Sequence, residues 1–389
     1  MKYWRGYLIA AIIAAVTWGI NKLGATYSNL VDMVYPYLTR TIQSFLAQWS
    51  SGLDFCLWQV AVVVLVLLAM ASIVLMIVLR WNPFQWLGWV LTGVATIWLL
   101  NTCIYGLNQH AGALSSDIRL NVTQYTLEEL EAATTYYRDL ANELSDQVAR
   151  HPNGEPDYPI FEELALYAAD GFKDLTYNHS YSVFAGSTVP VKKLGWSDMY
   201  TSSGITGVTV GLTGEAAVNP EIPVLGLPFA MCHEMAHRMC IAIDRDADFA
   251  AFLACSNNSR PEFQYAAYYM AYRYCYNTLY AHGSAEATTA AARLDAGLSD
   301  NLKRDLESFS EFFTEDPNVK ANMLTDSVDP LATPDQAAAS ANQVTDLLVS
   351  WHIQEVVIPA QAENAVSTFD PYDESQVDLS GIVGTLKKR

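Results

Sequence analysis

The sequence predicts a mainly α-helical chain in which three N-terminal transmembrane helices precede a helical domain with a small β-sheet. Three observations lead there. Residues 55–79 and 86–105 are apolar runs without a charge. Most of the chain after residue 125 places apolar residues at helical spacing between caps and breakers. Only residues 182–215 turn to Ser, Thr, Gly and Val, with β-type content from Ile205 to Leu212.

The first span is predicted at about 7–20. It follows Lys2 and Arg5 and lacks an A-x-A-like cleavage site, so it reads as an uncleaved helix rather than a signal peptide. The spans at about 55–79 and 86–105 are long enough to cross a hydrocarbon core of about 30 Å, and tryptophans suited to the interface flank the latter. Lys2 and Arg5 precede span one, and Arg80 lies in the turn between spans two and three. The positive-inside bias puts these charges in the cytoplasm and everything after Tyr105 outside it. The expected organisation is a membrane anchor over 1–105, an extracytoplasmic domain over 106–358 and a polar tail over 359–389, in a multi-pass protein of a bacterial cell membrane.

Composition agrees with this division. Of 389 residues, 51% are hydrophobic and 16% charged, too apolar for an ordinary soluble enzyme and too polar for a pure membrane bundle. The anchor holds five basic and two acidic residues, which leaves 17 basic and 39 acidic residues for the remainder. So acidic a domain argues against a nucleic-acid partner, since phosphates need Lys and Arg to neutralise them. The six cysteines form no CxxC pair. They are expected to be small buried hydrophobes rather than metal ligands.

Within the domain, Thr126 and Glu129 form a capping box that opens a helix running to about Arg150, where His151-Pro152-Asn153-Gly154 ends it. A second helix is predicted over 160–175, then a small sheet or hairpin within 182–215. Pro223 and Pro228 lead into a helix over 229–241, and further helices are expected near 261–281, 286–296, 299–314 and 335–353.

The chemistry is carried by His233-Glu234-Met235-Ala236-His237. Residues i and i+4 share one helical face, so two imidazoles can reach one metal ion. Glu234, one residue round the helix, can take a proton from metal-bound water, whose pKa zinc lowers to about 7. The HExxH spacing therefore points to metal-assisted hydrolysis of a peptide bond. A catalytic zinc needs a third protein ligand and one open position. Asp244, Asp246 and Asp248 follow closely. Asp244 would lie about 10 Å beyond His237 on a straight helix, so the chain must turn near Met239 to Ile243 for it to coordinate. Asp248 could then accept a hydrogen bond from a ligand imidazole, and Asp246 is the alternative ligand.

Asp244-Arg245-Asp246-Ala247-Asp248 after HExxH resembles the third-ligand helix of gluzincin metallopeptidases. There the first acid binds zinc and the residue four further on supports the site. The wider chain resembles an uncharacterised bacterial family called domain of unknown function 3810. The resemblance runs through Gly106-Leu107-Asn108, Thr213-Gly214-Glu215-Ala216-Ala217-Val218-Asn219, the HExxH segment, Phe249-Ala250-Ala251-Phe252-Leu253-Ala254-Cys255, Phe263-Gln264-Tyr265 and Tyr276-Asn277-Thr278-Leu279-Tyr280. Two positions depart from its usual pattern: Cys240 stands where Gly is usual, and Asp244 where Glu is usual.

What the residues and the resemblance together imply is a membrane-anchored, gluzincin-like zinc metalloendopeptidase. His233, His237 and Asp244 would hold one Zn2+ per chain, with Glu234 as general base. The partners would be the lipid bilayer and a protein or peptide substrate at the outer membrane face. An extended substrate is expected along an edge formed by Val208 to Leu212 and Thr213-Gly214-Glu215, which makes Glu215 a candidate substrate contact. An oxyanion donor is sought among Tyr265, Tyr268, Tyr269 and Tyr272. The alternative is a catalytically inactive membrane receptor or assembly factor that binds metal or peptide. An intramembrane protease fits less well, because Arg238, Asp244, Arg245, Asp246 and Asp248 are costly in lipid.

Overall fold

The computed structural model describes residues 2–314 and 344–361. The first part of the helix expected at 335–353 and the tail beyond 361 lie outside the described residues.

Among the described residues, three helices are long and apolar enough to cross a membrane: α1 (Arg5–Thr26), α3 (Leu57–Val78) and α4 (Pro83–Ile104). α1 and α4 run parallel and in close contact. At one end the Trp4 and Phe84 rings lie 4.9 Å apart and the Thr92 hydroxyl donates to Gly6 O. At the other end Asn21 reaches Thr102. A Cβ on Gly6 would come within 2.6 Å of the Gly88 backbone, so the absence of side chains lets the two helices touch. α3 runs the opposite way, and Arg80 sits in the turn between α3 and α4. Lys2, Arg5 and Arg80 thus gather at one end of the bundle, and the remaining domain sits at the other.

Residues 21–54, for which no element is predicted, contain the last turns of α1 and a further helix, α2 (Ser28–Ser50). Of its buried positions, Thr39, Arg40, Gln43, Ala47 and Ser50 are polar or small and Pro36 is the exception, while Leu30, Val34, Leu38, Phe45 and Trp49 are exposed. This polarity is inverted relative to a helix on a soluble protein, whose apolar stripe faces the core.

After the short α5 (Leu114–Asp117), α6 (Leu127–Ser145) opens with the predicted capping box. Glu129 N donates to the Thr126 hydroxyl and Thr126 N to the Glu129 carboxylate. α7 (Phe161–Tyr177) follows. β1 (Lys192–Lys193), α8 (Ser197–Thr201), β2 (Gly207–Val210) and β3 (Glu215–Val218) then form the expected small sheet region. The sheet order is β1-β3-β2; β3 pairs parallel with β1 and antiparallel with β2. β2 is therefore an edge.

α9 (Leu227–Arg238) packs on this sheet, with α7, α10 (Asp244–Ser256) and α11 (Pro261–His282) around it. Met231, Met235 and Ala236 of α9 share one core with Ala168 and Phe172 of α7, Ala250 and Ala254 of α10, and Ala266 of α11. The many alanines let these helices approach closely and hold α9 rigidly from three sides. α12 (Ala285–Ala296), α13 (Asp300–Thr314) and α14 (Val344–His352) complete the described domain. All six cysteines are free thiols, and five of them are buried.

Candidate metal centre

α9 ends in a Schellman turn. Ile241 N donates back to Ala236 O, and Cys240 N to His237 O. The residue at the left-handed position of such a turn is usually glycine. Here it is Cys240, at φ 71°, the position where the family resemblance places Gly. The turn reverses the chain within Met239 to Ile243 and starts α10 at Asp244, as the third-ligand argument required.

The turn serves the site directly. His237 Nδ1 lies 2.8 Å from Ile241 O, and His233 Nδ1 lies 2.7 Å from Asp248 Oδ1. Both partners can only accept, so both Nδ1 atoms carry the proton. In neutral rings the two Nε2 atoms then bear lone pairs, and they face each other 3.0 Å apart. Asp244 Oδ1 lies 3.2 Å from His237 Nε2. All three ligand atoms fall within 4.8 Å of one another.

Two lone pairs and a carboxylate converging on one point repel unless a cation or a proton lies between them. Tetrahedral ligands about 2.0–2.1 Å from zinc would be about 3.3 Å apart, close to the two separations above. The donor set and its spacing therefore fit a zinc ion. Electrostatics show the same demand for positive charge. Burial disfavours a charged His233, but Asp248, aided by Glu234 and Asp244, outweighs it and raises the imidazole to about 9. The adjacent His237 ring, with the positive charge that His233 can carry, holds Asp244 below the usual carboxylate range, against the opposing effect of burial.

Glu234 is buried against the edge strand. The Thr209 hydroxyl lies 2.6 Å from Glu234 Oε2 and 2.9 Å from Glu234 O. A Cβ on Gly207 would come within 2.5 Å of the Glu234 side chain. Gly207 is thus the residue whose small size makes room for the carboxylate. Both side-chain positions face α9 from one side of β2, as the period of two requires.

The site opens into a cleft of about 700 Å³. One wall is residues 203–209, including most of β2; the other comes from Met270, Arg273, Tyr274 and Asn277 of α11. Asn219 N donates to Thr206 O, so by alternation the backbone N–H and C=O groups of Gly207 and Thr209 point away from β3. The guanidinium of Arg273 stacks on Phe309 at 4.3 Å.

Three expected site residues are placed elsewhere. Asp246 is buried, accepting from Leu114 N and from Arg245, and it faces away from the histidines. Glu215 lies outside the residues that line the cleft. Its carboxylate accepts from Leu57 N at 2.8 Å, Trp58 N at 3.0 Å and Lys192 Nζ at 2.8 Å, and so caps the first turn of α3. Tyr265 is buried with its hydroxyl on Asp305, and Tyr269 reaches the same residue's carbonyl. The tyrosine of α11 that does line the cleft is Tyr274, a helical step beyond those expected. Tyr105, at the end of α4, donates to His237 O at 3.0 Å. Nothing short of the fold could have linked residues 132 positions apart.

A family model described as protein of unknown function (DUF3810) matches residues 31–329. No curated protein and no solved structure matches the chain.

Proposed function

Because the chain belongs to the DUF3810 family, which carries no assigned activity, its function must be read from the site, and we propose that it is a membrane-anchored zinc-dependent metalloendopeptidase. One observation carries this reading. Two imidazoles, their Nδ1 protons fixed by Asp248 and Ile241 O, aim Nε2 lone pairs at one point beside Asp244. Glu234 lines the same cleft.

Zinc, when bound, would supply a coordinated water acidic enough to ionise near neutral pH and would polarise a substrate carbonyl. His233, His237 and Asp244 would hold it. Glu234 accepts the proton of the attacking water and passes it to the leaving amine. Thr209 keeps the carboxylate in place by donating to Oε2. The outward backbone groups of Gly207 and Thr209 suit an extended peptide joining the sheet beyond β2. Such a strand would run past the histidines with its scissile carbonyl over the site.

The substrate in this reading is a protein or peptide at the membrane face carrying the domain. With Lys2, Arg5 and Arg80 on the cytoplasmic side, that face is extracytoplasmic. The gluzincin resemblance of the HExxH and Asp244 to Asp248 segments supports the same chemistry. The test is hydrolysis of a mixed peptide library by the full-length protein in detergent, before and after Glu234→Ala. The variant should keep its metal and lose hydrolysis. Equal hydrolysis by both would refute the mechanism, and metal binding without any cleavage by the unmodified chain would favour a receptor.

A further inference from the structure

α2 carries a face that none of the described residues covers. Leu30, Val34, Leu38, Phe45 and Trp49 recur at intervals of four or seven and are between 57% and 69% exposed. The opposite face holds Thr39, Arg40, Gln43, Ala47 and Ser50, all buried. The helix has only two charged residues, and both are turned to the domain. Asp32 accepts from Gly112 N, and Arg40 donates to Met239 O and Ser182 O. No charge remains on the apolar side.

The ends of α2 fix its direction. It begins two residues after α1 stops at Thr26, at the domain end of that span, where Gly24 abuts Leu107 and His110. It finishes shortly before α3 starts, also at the domain end, where Glu215 holds Leu57 and Trp58. Both ends therefore lie at the same face of the bundle. A helix of 23 residues, about 34 Å long, joining two points on one face runs along that face rather than through it.

We propose that α2 is an in-plane membrane helix, with its Leu30, Val34, Leu38, Phe45 and Trp49 face among the lipid acyl chains and its polar face carrying the metal-site domain. The proposal rests on α1, α3 and α4 crossing the bilayer. The occupant is lipid because the exposed stripe lies on a helix joined at both ends to helices apolar enough to cross a membrane, lacks charge, and bears aromatic rings suited to the interface. Such a helix sinks its apolar face about 5–10 Å into the headgroup and acyl boundary. Its polar face holds the metal site. Arg40 bonds the carbonyl of Met239 in the turn after His237, and Gln43 bonds the carbonyl of Gly211 just past β2. The turn and the strand end that border the site are thereby tied to the helix that lies on the lipid. Chains emerging from the bilayer would be the peptides within its reach.

Single nitroxide labels in liposome-reconstituted full-length protein test this. The background is Cys103→Ser, since the other five cysteines are buried. Labels at Val34→Cys, Leu38→Cys and Phe45→Cys should collide several-fold more with oxygen, which partitions into lipid, than with a water-soluble nickel chelate. A label at Tyr177→Cys, on an exposed helix of the domain, should show the reverse. Nickel access at the α2 sites equal to that at residue 177 overturns the proposal. So does shielding from both reagents, which would mean that protein covers the face. A label at Leu67→Cys in α3 separates the two layers. Lipid signature there with aqueous signature on α2 removes this proposal alone, whereas an aqueous signature at both removes the membrane-spanning reading with it.

Discussion

His233 Nδ1 meets Asp248 Oδ1 at 2.7 Å, and this contact decides which nitrogen of the ring faces the metal position. A carboxylate partner orients the imidazole and strengthens it as a ligand. Replacing Asp248 by Ala should weaken zinc binding about 10–100-fold while leaving the fold intact. Competition against a chromogenic chelator reads this directly, and an unchanged affinity would show that Asp248 does not support the site.

The same contact sets a pH dependence. In the metal-free protein His233 is raised from its ordinary value to about 9, because Asp248 outweighs burial. A raised folded-state value stabilises the metal-free protein fully below about pH 6.5, and that contribution fades as pH rises through about 9. Metal must expel this proton, so its affinity has the opposite slope. Zinc affinity should climb about tenfold per pH unit from pH 6.5 towards 9 and then level. A flat profile over this range would contradict the assigned protonation.

Gly207 has no side chain because Glu234 occupies the space. Gly207→Ala should push the carboxylate away from the metal-bound water while leaving both histidines in place. A displacement near 1 Å costs on the order of a hundredfold in rate. The expected result is full zinc content with kcat reduced by about that factor. Loss of zinc in parallel would place the damage in α9 as a whole.

Glu215 and Lys192 form a buried ion pair at 2.8 Å that also caps α3. Glu215→Ala leaves Lys192 unpaired and two backbone donors open, so it should destabilise the chain by about 3–5 kcal/mol. Thermal unfolding in detergent measures it. The rival role, contact with substrate, predicts instead a raised KM at unchanged stability.

The parts of this protein that follow a local rule could be read from its sequence. The i, i+4 spacing of His233 and His237, the capping box at Thr126 and Glu129, and the apolar runs at 55–79 and 86–105 each need only neighbouring residues to be interpreted. Asp244 and Asp248 were legible because the length of chain after His237 demanded a turn, and Cys240 occupies its left-handed position. Asp246, Glu215 and Tyr265 lie away from the cleft because each is held by a group far along the chain: Leu114, Leu57 and Asp305. Composition cannot distinguish a carboxylate kept for chemistry from one that caps a distant helix. α2 is hidden in the sequence for a different reason. Its polar face is the buried one, so the rule that apolar residues face the core reads it backwards. Gly207 could have been suspected, since an isolated Gly in a strand marks close approach of another group.

Whether His233 and His237 hold a metal is read from the metal content of the purified full-length protein, measured by elemental analysis alongside His233→Ala and His237→Ala variants. The unmodified protein should carry one zinc per chain, and both variants should lose it. A chain without stoichiometric metal, or one that keeps its zinc when both imidazoles are removed, would contradict the proposed zinc site.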